Sequence, residues 1–397
     1  MNIGMLLDKE FYGDLRVENE VQALSAAGFK VYVYCFAFNG TFHEDDYHGA
    51  SIINIPVSKK FIYKLRGLTN TVLNFYPSYL VRLIKKYITQ HQIDALHIHD
   101  LYLFETGLKA KNLFKNIVLI GDLHENYVEG LKHYKFSNTF PGNVLISIKK
   151  WQASEVEWCN KFDYLITVIE EAVDRYKSLG IPENKFSVVP NYVNLDTFLT
   201  DEIDKSIVLR FKDNFSVMYV GGFDVHRGLE VAIKAVPFVV DKIENFKLVL
   251  VGKGRNFDDL VNLAKSLNIE KYISFEGWQP VAKLSSYIEA SSVCLIPHLK
   301  TQHTDNTIPH KLFQYMVFEK PVIVSNCKPL ERILNKENAG LIYNANNSEE
   351  LAKSILTLYE NPELRKEMGK RGKEAVISEY NWSNASKSLI SLYQNIK

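Results

Sequence analysis

Short, nearly continuous apolar runs rich in β-branched residues alternate along the chain with longer stretches in which apolar residues recur every three or four positions. The short runs predict strands at residues 2–7, 30–36, 51–55, 94–99, 116–120, 164–168 and 186–189, and again at 216–220, 247–251, 272–275, 293–296, 321–324 and 340–342. Continuous apolar character is how a strand covered on both faces reads, so parallel sheets are expected. Between the runs, Val17, Val21 and Leu24 make a helical stripe that Gly28 closes, and Leu229, Ile233, Val236 and Val240 make another after Gly228. Leu260, Leu263 and Leu267 make a third. Strand and helix in regular alternation predict an α/β doubly wound architecture.

The alternation has one gap. Residues 191–214 hold no strong strand and are rich in Asp, Asn and Lys. A single sheet of about thirteen strands is disfavoured by size. The gap therefore reads as the link between two domains, each with its own sheet, which suits a chain of 397 residues. No repeat of 20–50 residues is visible, which excludes solenoids and propellers.

Charge changes the picture only slightly. Lys and Arg number 47 against 46 Asp and Glu, a net charge of +1, so a polybasic nucleic-acid binder is excluded. No apolar run approaches the roughly 20 residues of a membrane-spanning helix. Residues 1–8 run directly into a strand with no basic leader, so a secretory signal is not expected. Cys35, Cys159, Cys294 and Cys327 lie far apart, which suits a reducing cytoplasm better than a zinc site or a disulfide framework. The stretch 59–92 interleaves Phe61, Tyr63, Phe75, Tyr76 and Tyr79 with Lys59, Lys60, Lys64, Arg66, Arg82, Lys85 and Lys86. It reads either as core helices with a solvated basic face or as a surface that lies against an anionic membrane.

Four segments carry candidate chemistry. The strand 216–220 runs into Gly221 and Gly222, then His226, Arg227 and Gly228. A glycine turn before a helix N-terminus lets backbone N–H groups approach a phosphate, and Arg227 offers a planar fork for a diphosphate. The second segment, Asn306, Thr307, Ile308, Pro309, His310, Lys311 and Gln314, places Pro309 at an expected first helical position and puts Lys311 and Gln314 on one face. In the first half, Gly121, Asp122, His124 and Glu125 follow the strand predicted at 116–120, and His97, His99 and Asp100 end another. In doubly wound sheets ligands sit at the carboxyl ends of strands. His97 is expected to point away from His99. The fourth segment is the turn holding Gly13, Asp14 and Arg16.

With these segments in place, the chain resembles the retaining glycosyltransferases of family 4. Pro190, Asn191, Val193 and Phe198 are similar to the family's segment between its domains, with Tyr192 and Asn194 as departures. Leu250 to Gly254, Phe275 to Pro280 and Ser291 to Pro297 resemble successive elements of its second domain, and Tyr380, Asn381 and Trp382 resemble the opening of its last helix. The resemblance implies the GT-B fold: two Rossmann-like doubly wound parallel-sheet domains facing across a cleft. They would be an acceptor-side domain at 1–195 and a nucleotide-sugar domain at 196–378, with a helix at 379–397 crossing back.

The resemblance also implies roles. Arg227 takes the position of the family's phosphate-binding Lys, while the partner Arg position holds Gly222. His226 or Lys311 would supply the missing charge. The family's Glu-x7-Glu pair falls on Asn306 and Gln314, both amides here. His124 resembles the family's histidine beside the transferred sugar. The implied catalytic set is His124, Arg227 and Lys311. Donor binding would involve Gly13, Gly221, Gly222, His226, Gly254, Trp278, Asn306, Thr307, Ile308, Pro309, His310 and Gln314, with Trp278 near the base. Asp14, Arg16, His99 and Glu125 would lie on the acceptor side.

The implied reaction moves a sugar from a nucleoside diphosphate to a glycan or lipid-linked acceptor with retention, in surface polysaccharide synthesis at the inner face of the cell membrane. No Asp-x-Asp pair is placed to hold a metal, so neither metal nor other cofactor is expected, and no nucleic-acid partner. The paired amides and the missing Arg also suit a non-catalytic nucleotide-sugar-binding or partner-supporting protein, and a nucleotide-sugar 2-epimerase is a further alternative.

Overall fold

A computed structural model describes the chain except for residues 39, 133–136, 138, 201 and 397. It divides into two compact units. Met1–Asn191 and Ala385–Lys397 form the first, and Tyr192–Asn384 the second.

The first unit is built on an eight-stranded sheet. Its strands are β1 (Asn2–Leu6), β2 (Lys30–Ala37), β3 (His43–Tyr47), β4 (Ala50–Pro56), β5 (Ala95–His99), β6 (Val118–Leu123), β7 (Tyr164–Thr167) and β8 (Phe186–Val188). They lie in the order β3-β4-β2-β1-β5-β6-β7-β8. Every pairing is parallel except β3 with β4. The apolar pattern does not predict β3, because the strand reads His43-Glu44-Asp45-Asp46-Tyr47 and has no apolar face. It is an acidic edge strand, and charge on an edge discourages pairing with other chains.

The second unit carries six strands: β9 (Phe215–Val220), β10 (Phe246–Val251), β11 (Ile273–Gly277), β12 (Val293–Ile296), β13 (Val322–Ser325) and β14 (Gly340–Tyr343). Their order is β11-β10-β9-β12-β13-β14, all parallel. The link region, from Tyr192 on, belongs to this unit. It contains the helices Leu195–Phe198 and Lys205–Phe211, and Asp204 N–H donates to Ser286 Oγ at 2.8 Å.

Each sheet has a point where the chain reverses its direction of winding. In the first unit β1 lies between β2 and β5, and in the second β9 lies between β10 and β12. At such a switch point the loops leaving neighbouring strands part and open a crevice at the carboxyl end of the sheet. The loops after β1, β5 and β6 and those after β9, β10 and β12 carry most of the candidate residues.

The stretch 59–92 forms two helices, Lys59–Gly67 and Tyr76–Gln90. Ile62, Tyr76, Leu80 and Ile84 are buried in the core of the first unit, while Phe61, Tyr63, Val72 and Phe75 are exposed. Among the described residues no helix is long and apolar enough to cross a membrane.

Candidate functional site

In the second unit, three glycine-bearing loops come together at the end of the sheet. Gly221 N–H donates to Val251 O at 2.9 Å, Phe223 N–H to Lys253 O at 3.2 Å and Gly252 N–H to Gly277 O at 2.7 Å. A Cβ on Gly252 would collide with Gly221 O, and one on Gly254 with the Phe223 backbone. Only residues without side chains let these backbones lie against each other. Gly228, at φ 67°, caps the helix Leu229–Val240, and a Cβ there would strike the Pro297 carbonyl after β12.

Into this corner reach two cations. The helix Lys311–Val317 is anchored to β9 by Tyr315, whose hydroxyl accepts from Val220 N–H at 2.8 Å. Lys311 is one helical turn before Tyr315 and shares its face. Its ammonium nitrogen lies 3.9 Å from the centroid of the Tyr219 ring, a cation–π contact. That nitrogen also fills the space a side chain on Gly221 would need. Among the described residues neither the buried Nζ nor Nε of Arg227 has a hydrogen-bond partner. Burial, followed by repulsion from Arg227, pushes the Lys311 ammonium well below the usual lysine range. Arg227 is fixed from behind: its Nη1 donates to His298 Nε2 at 3.1 Å. Burial and the surrounding cations hold His298 neutral, so its lone pair is free to accept. The rings of His226 and His303 complete the cluster, their centroids 5.5 Å apart. Lys311 Nζ and Arg227 Nε, two buried donors of mutually repelling cations with no hydrogen-bond partner among the described residues, are suited to an anion.

The remaining donor-side candidates are placed around this cluster. Pro309 is not the first residue of its helix, which begins at Lys311; the opening turn is instead closed by Leu312 N–H on Pro309 O at 3.1 Å, an i→i+3 bond. Asn306 turns its amide to Gln302 O at 2.6 Å, and Thr307 its hydroxyl to His303 O at 3.0 Å. Ile308 is buried. His310 bonds the Tyr192 backbone. Gln314 is half-buried, and Trp278 is exposed just beyond β11.

In the first unit the candidates cluster at the ends of β5 and β6. The structure places Gly121 and Asp122 within β6, which starts two residues later and runs three further than the pattern predicts. Asp122 is buried and bound bidentately by Arg16, Nε to Oδ2 at 3.0 Å and Nη2 to Oδ1 at 2.9 Å. Arg16 Nη1 donates to Val189 O at 3.0 Å, and Nη2 lies 3.0 Å from Glu20 Oε1. Arg16 thus turns inward and has no face left for an acceptor. His99, also assigned to the acceptor side, is buried as well. His97 does not point away from it: the two rings stack at 4.3 Å. Residues two apart in a strand share a face, which is the rule the expectation inverted. His97 Nδ1 meets the Tyr393 hydroxyl at 2.8 Å.

His124 stands at the mouth of this cluster, its side chain 17% exposed where that of Asp122 is fully buried. Its Nε2 lies 3.0 Å from Asp122 Oδ2, and its Nδ1 3.6 Å from Asp100 Oδ1. Gly13, at φ 96°, has an open turn, and Asp14 caps the helix Leu15–Ala26 while pairing with Lys9 at 2.5 Å. Glu125 is half-buried beside His124. Sequence reasoning passed over Glu20, which sits in an ordinary helical stripe, and Asp8, where Tyr76 and Tyr102 hydroxyls converge at 2.8 Å each. The pair Asp8-Lys9 directly after a strand was the available signal.

Glu20, His97, His99 and Asp122 bring ligand atoms within 4.8 Å of one another. The set suits a metal poorly. Metal–imidazole bonds lie in the ring plane, and two rings stacked with planes 17° apart do not direct their lone pairs to a single point. Arg16 already pairs with Asp122, and its Nη2 also lies against Glu20.

The chain thus consists of two parallel-sheet α/β units, the second with a cationic, glycine-lined corner at the switch point of its sheet. Comparison with known proteins gives the class. Residues 200–375 match the model for glycosyl transferases group 1, and residues 15–197 the model for glycosyltransferase family 4. The chain belongs to this family of GT-B glycosyltransferases. An uncharacterised glycosyltransferase of Haemophilus influenzae is 26% identical over 357 residues, covering 89% of this chain and 88% of its own. Sucrose-phosphate synthase of Thermosynechococcus elongatus superposes with a TM-score of 0.76 at 18% identity, over 99% of this chain and 98% of its own. Anabaena HepE, solved in complex with UDP, does so with a TM-score of 0.73 at 14% identity over the full length of both. At these identities the two structures establish the shared fold.

Proposed function

We propose that this glycosyltransferase takes its sugar from a nucleoside diphosphate and transfers it with retention to a glycan or lipid-linked acceptor. The observation that carries the donor assignment is the pair of unpartnered buried cationic groups, Lys311 Nζ and Arg227 Nε, at the glycine-lined corner of the second unit. A diphosphate would relieve their repulsion, and the same groups would stabilise the charge that grows on it as the glycosidic bond breaks. Two cations suited to a diphosphate support transfer without a metal. Half-buried Gln314 can bond a ribose through both ends of its amide, and exposed Trp278 offers a ring to the base. His124, at the mouth of the first unit's cluster, is the group assigned to the sugar.

The exposed rings of Phe61, Tyr63 and Phe75, on and beside a helix carrying Lys59, Lys60 and Lys64, suit peripheral contact with an anionic membrane. An acceptor anchored in the inner face of the cell membrane, for a surface polysaccharide, fits that contact.

The deciding experiment is a thermal-shift panel of UDP-, GDP-, ADP- and dTDP-sugars with and without EDTA, followed by NMR of the anomeric proton of the product. A donor that raises the melting temperature and is consumed with its configuration kept supports the reading. Stabilisation by none of the four defeats it, and binding without transfer or hydrolysis favours a non-catalytic binder. Flotation on anionic and neutral liposomes tests the membrane contact, which fails if neither recovers the protein.

A further inference from the structure

The network behind His124 contains more than a histidine needs in order to be held in place. Asp122 Oδ2 is a carboxylate oxygen and only accepts, so the His124 Nε2 3.0 Å away carries a proton. His99 Nδ1 lies 3.1 Å from that same Nε2 and 3.5 Å from Asp122 Oδ2, and burial drives His99 toward the neutral ring. His124 Nδ1 faces a second carboxylate, Asp100. Asp100 holds φ 69° and ψ 135°, a backbone conformation costly for any residue but glycine. The ring of His124 thus lies between two carboxylates, one of them clamped by Arg16.

We propose that Asp122 and Arg16 are positioning residues that keep His124 an imidazolium, so that it meets its substrate as a cationic hydrogen-bond donor through Nδ1–H and does not serve as a base. Calling the substrate a glycosyl donor rests on the transferase reading; the charge on the ring does not.

The surrounding groups, taken element by element, favour this assignment on balance. On the helix Leu15–Ala26, Arg16 opposes the charge, while Asp14 at its N-cap favours it. Glu20 is pushed up to about 8, chiefly by burial, and so holds a proton at neutral pH. From β5, His97 and His99 are driven toward the neutral form by burial, His99 to about 3. From the last helix Tyr393 contributes a neutral hydroxyl to His97. Burial alone would discharge His124, but the two carboxylates outweigh it and raise the ring to about 9. Asp122 itself, with Arg16 and His124 against it, is held well below the usual carboxylate range. Arg16 fixes Asp122 as an ion, Asp122 fixes the charge on His124, and His124 is the exposed end of the chain of contacts.

The consequence for chemistry is specific. An imidazolium has no lone pair with which to take the acceptor's proton. It can donate to a sugar hydroxyl or to a phosphoryl oxygen whose negative charge is growing. The acceptor's proton must then leave to another group.

The test is a pH titration of the full-length protein labelled with 13Cε1-histidine, the His124 resonance being assigned by its loss in His124→Gln. The expected midpoint is above pH 8 in the wild type, falling by a unit or more in Asp122→Asn. Should Asp122→Asn fail to fold, Asp100→Asn changes only the half-buried second carboxylate, and a smaller drop in the midpoint is expected. A wild-type midpoint at or below 6.5, or no shift in either folded variant, overturns the assignment. One equivalent of Zn²⁺ is expected to leave the His97 and His99 resonances in place; their stoichiometric shift would make the cluster a metal site and also overturn it. The titration needs no donor, so a failed donor panel with a high midpoint removes the transferase reading alone.

Discussion

The ammonium nitrogen of Lys311 lies 3.9 Å from the centroid of the Tyr219 ring and has no hydrogen-bond partner among the described residues. The ring face compensates part of the desolvation of the cation, but less than a carboxylate or phosphate would. The site therefore carries an unmet electrostatic demand before any ligand arrives, and the first two predictions test it.

Lys311→Met should leave the fold as stable as the wild type or more so, because it removes a buried charge and keeps the apolar stem. It should weaken binding of the stabilising nucleotide by about tenfold or more, the loss of one charge-assisted contact. Calorimetry and thermal unfolding on the same samples check both halves. A destabilised variant with undiminished nucleotide affinity would assign Lys311 to packing.

Anion binding should be coupled to proton uptake. The folded protein holds Lys311 below its usual range, so unliganded protein gains stability as pH rises toward that range, where the unfolded chain binds more protons. A bound diphosphate favours the charged ammonium and reverses the shift. Titrating the nucleotide in buffers of different ionisation enthalpy at alkaline pH should reveal protons taken up, and the uptake should vanish in Lys311→Met.

Arg227→Ala should lower turnover by about 10²-fold or more, the usual cost of losing a group aimed at charge in the transition state. His298 accepts from Arg227 behind the site, so His298→Ala should reproduce part of that loss with little effect on the folded state's secondary structure. Steady-state kinetics with the donor from the panel measure both. A near-wild-type rate for Arg227→Ala would remove it from the chemistry.

Gln314→Ala should weaken nucleotide binding without disturbing the fold. Gln314→Glu is sharper, because it introduces the carboxylate of the Glu-x7-Glu pattern that this segment resembles. Impaired binding in the Glu variant would show that this chain uses the amide itself; calorimetric affinity unchanged in both variants would leave Gln314 without a nucleotide contact.

Glu20 gives a stability signature. Its folded pKa is raised to about 8 by burial, so its favourable contribution is complete below the ordinary glutamate range and is lost as pH rises through about 8. Glu20→Gln cannot ionise. The melting temperature of the wild type should therefore fall more steeply between pH 6 and pH 9 than that of the variant. Parallel curves would show that Glu20 is already ionised at neutral pH. Asp122 has the opposite sign, contributing above the usual carboxylate range and failing only in strong acid.

The apolar pattern made most of the fold legible because parallel strands are covered on both faces, and that leaves continuous runs such as Val217 to Val220. It could not show β3, whose residues face water, nor the true span of β6, whose buried Asp122 breaks the apolar run. The glycine corner and Arg227 were legible because backbone approach demands glycine. The inward turn of Arg16 was not, since a lone Arg near a helix start carries no sign of which way it points. Its partners Asp122 and Val189 lie 106 and 173 positions away. Likewise nothing local joins His97 to Tyr393, 296 residues apart.

That last contact bears on how the protein comes into being. The first compact unit is split in sequence, and its closing segment, Ala385–Lys397, leaves the ribosome only after the whole second unit. Tyr393 is then the hydrogen-bond partner of His97 Nδ1. During synthesis the second unit can finish folding while the first still waits for its final piece, reversing the usual order in which N-terminal domains mature first. Until Tyr393 has been made and has docked, the cluster that supports His124 lacks one wall. A chain interrupted at Ala385 would lose that wall permanently, although every residue named at the sugar and phosphate sites would be present.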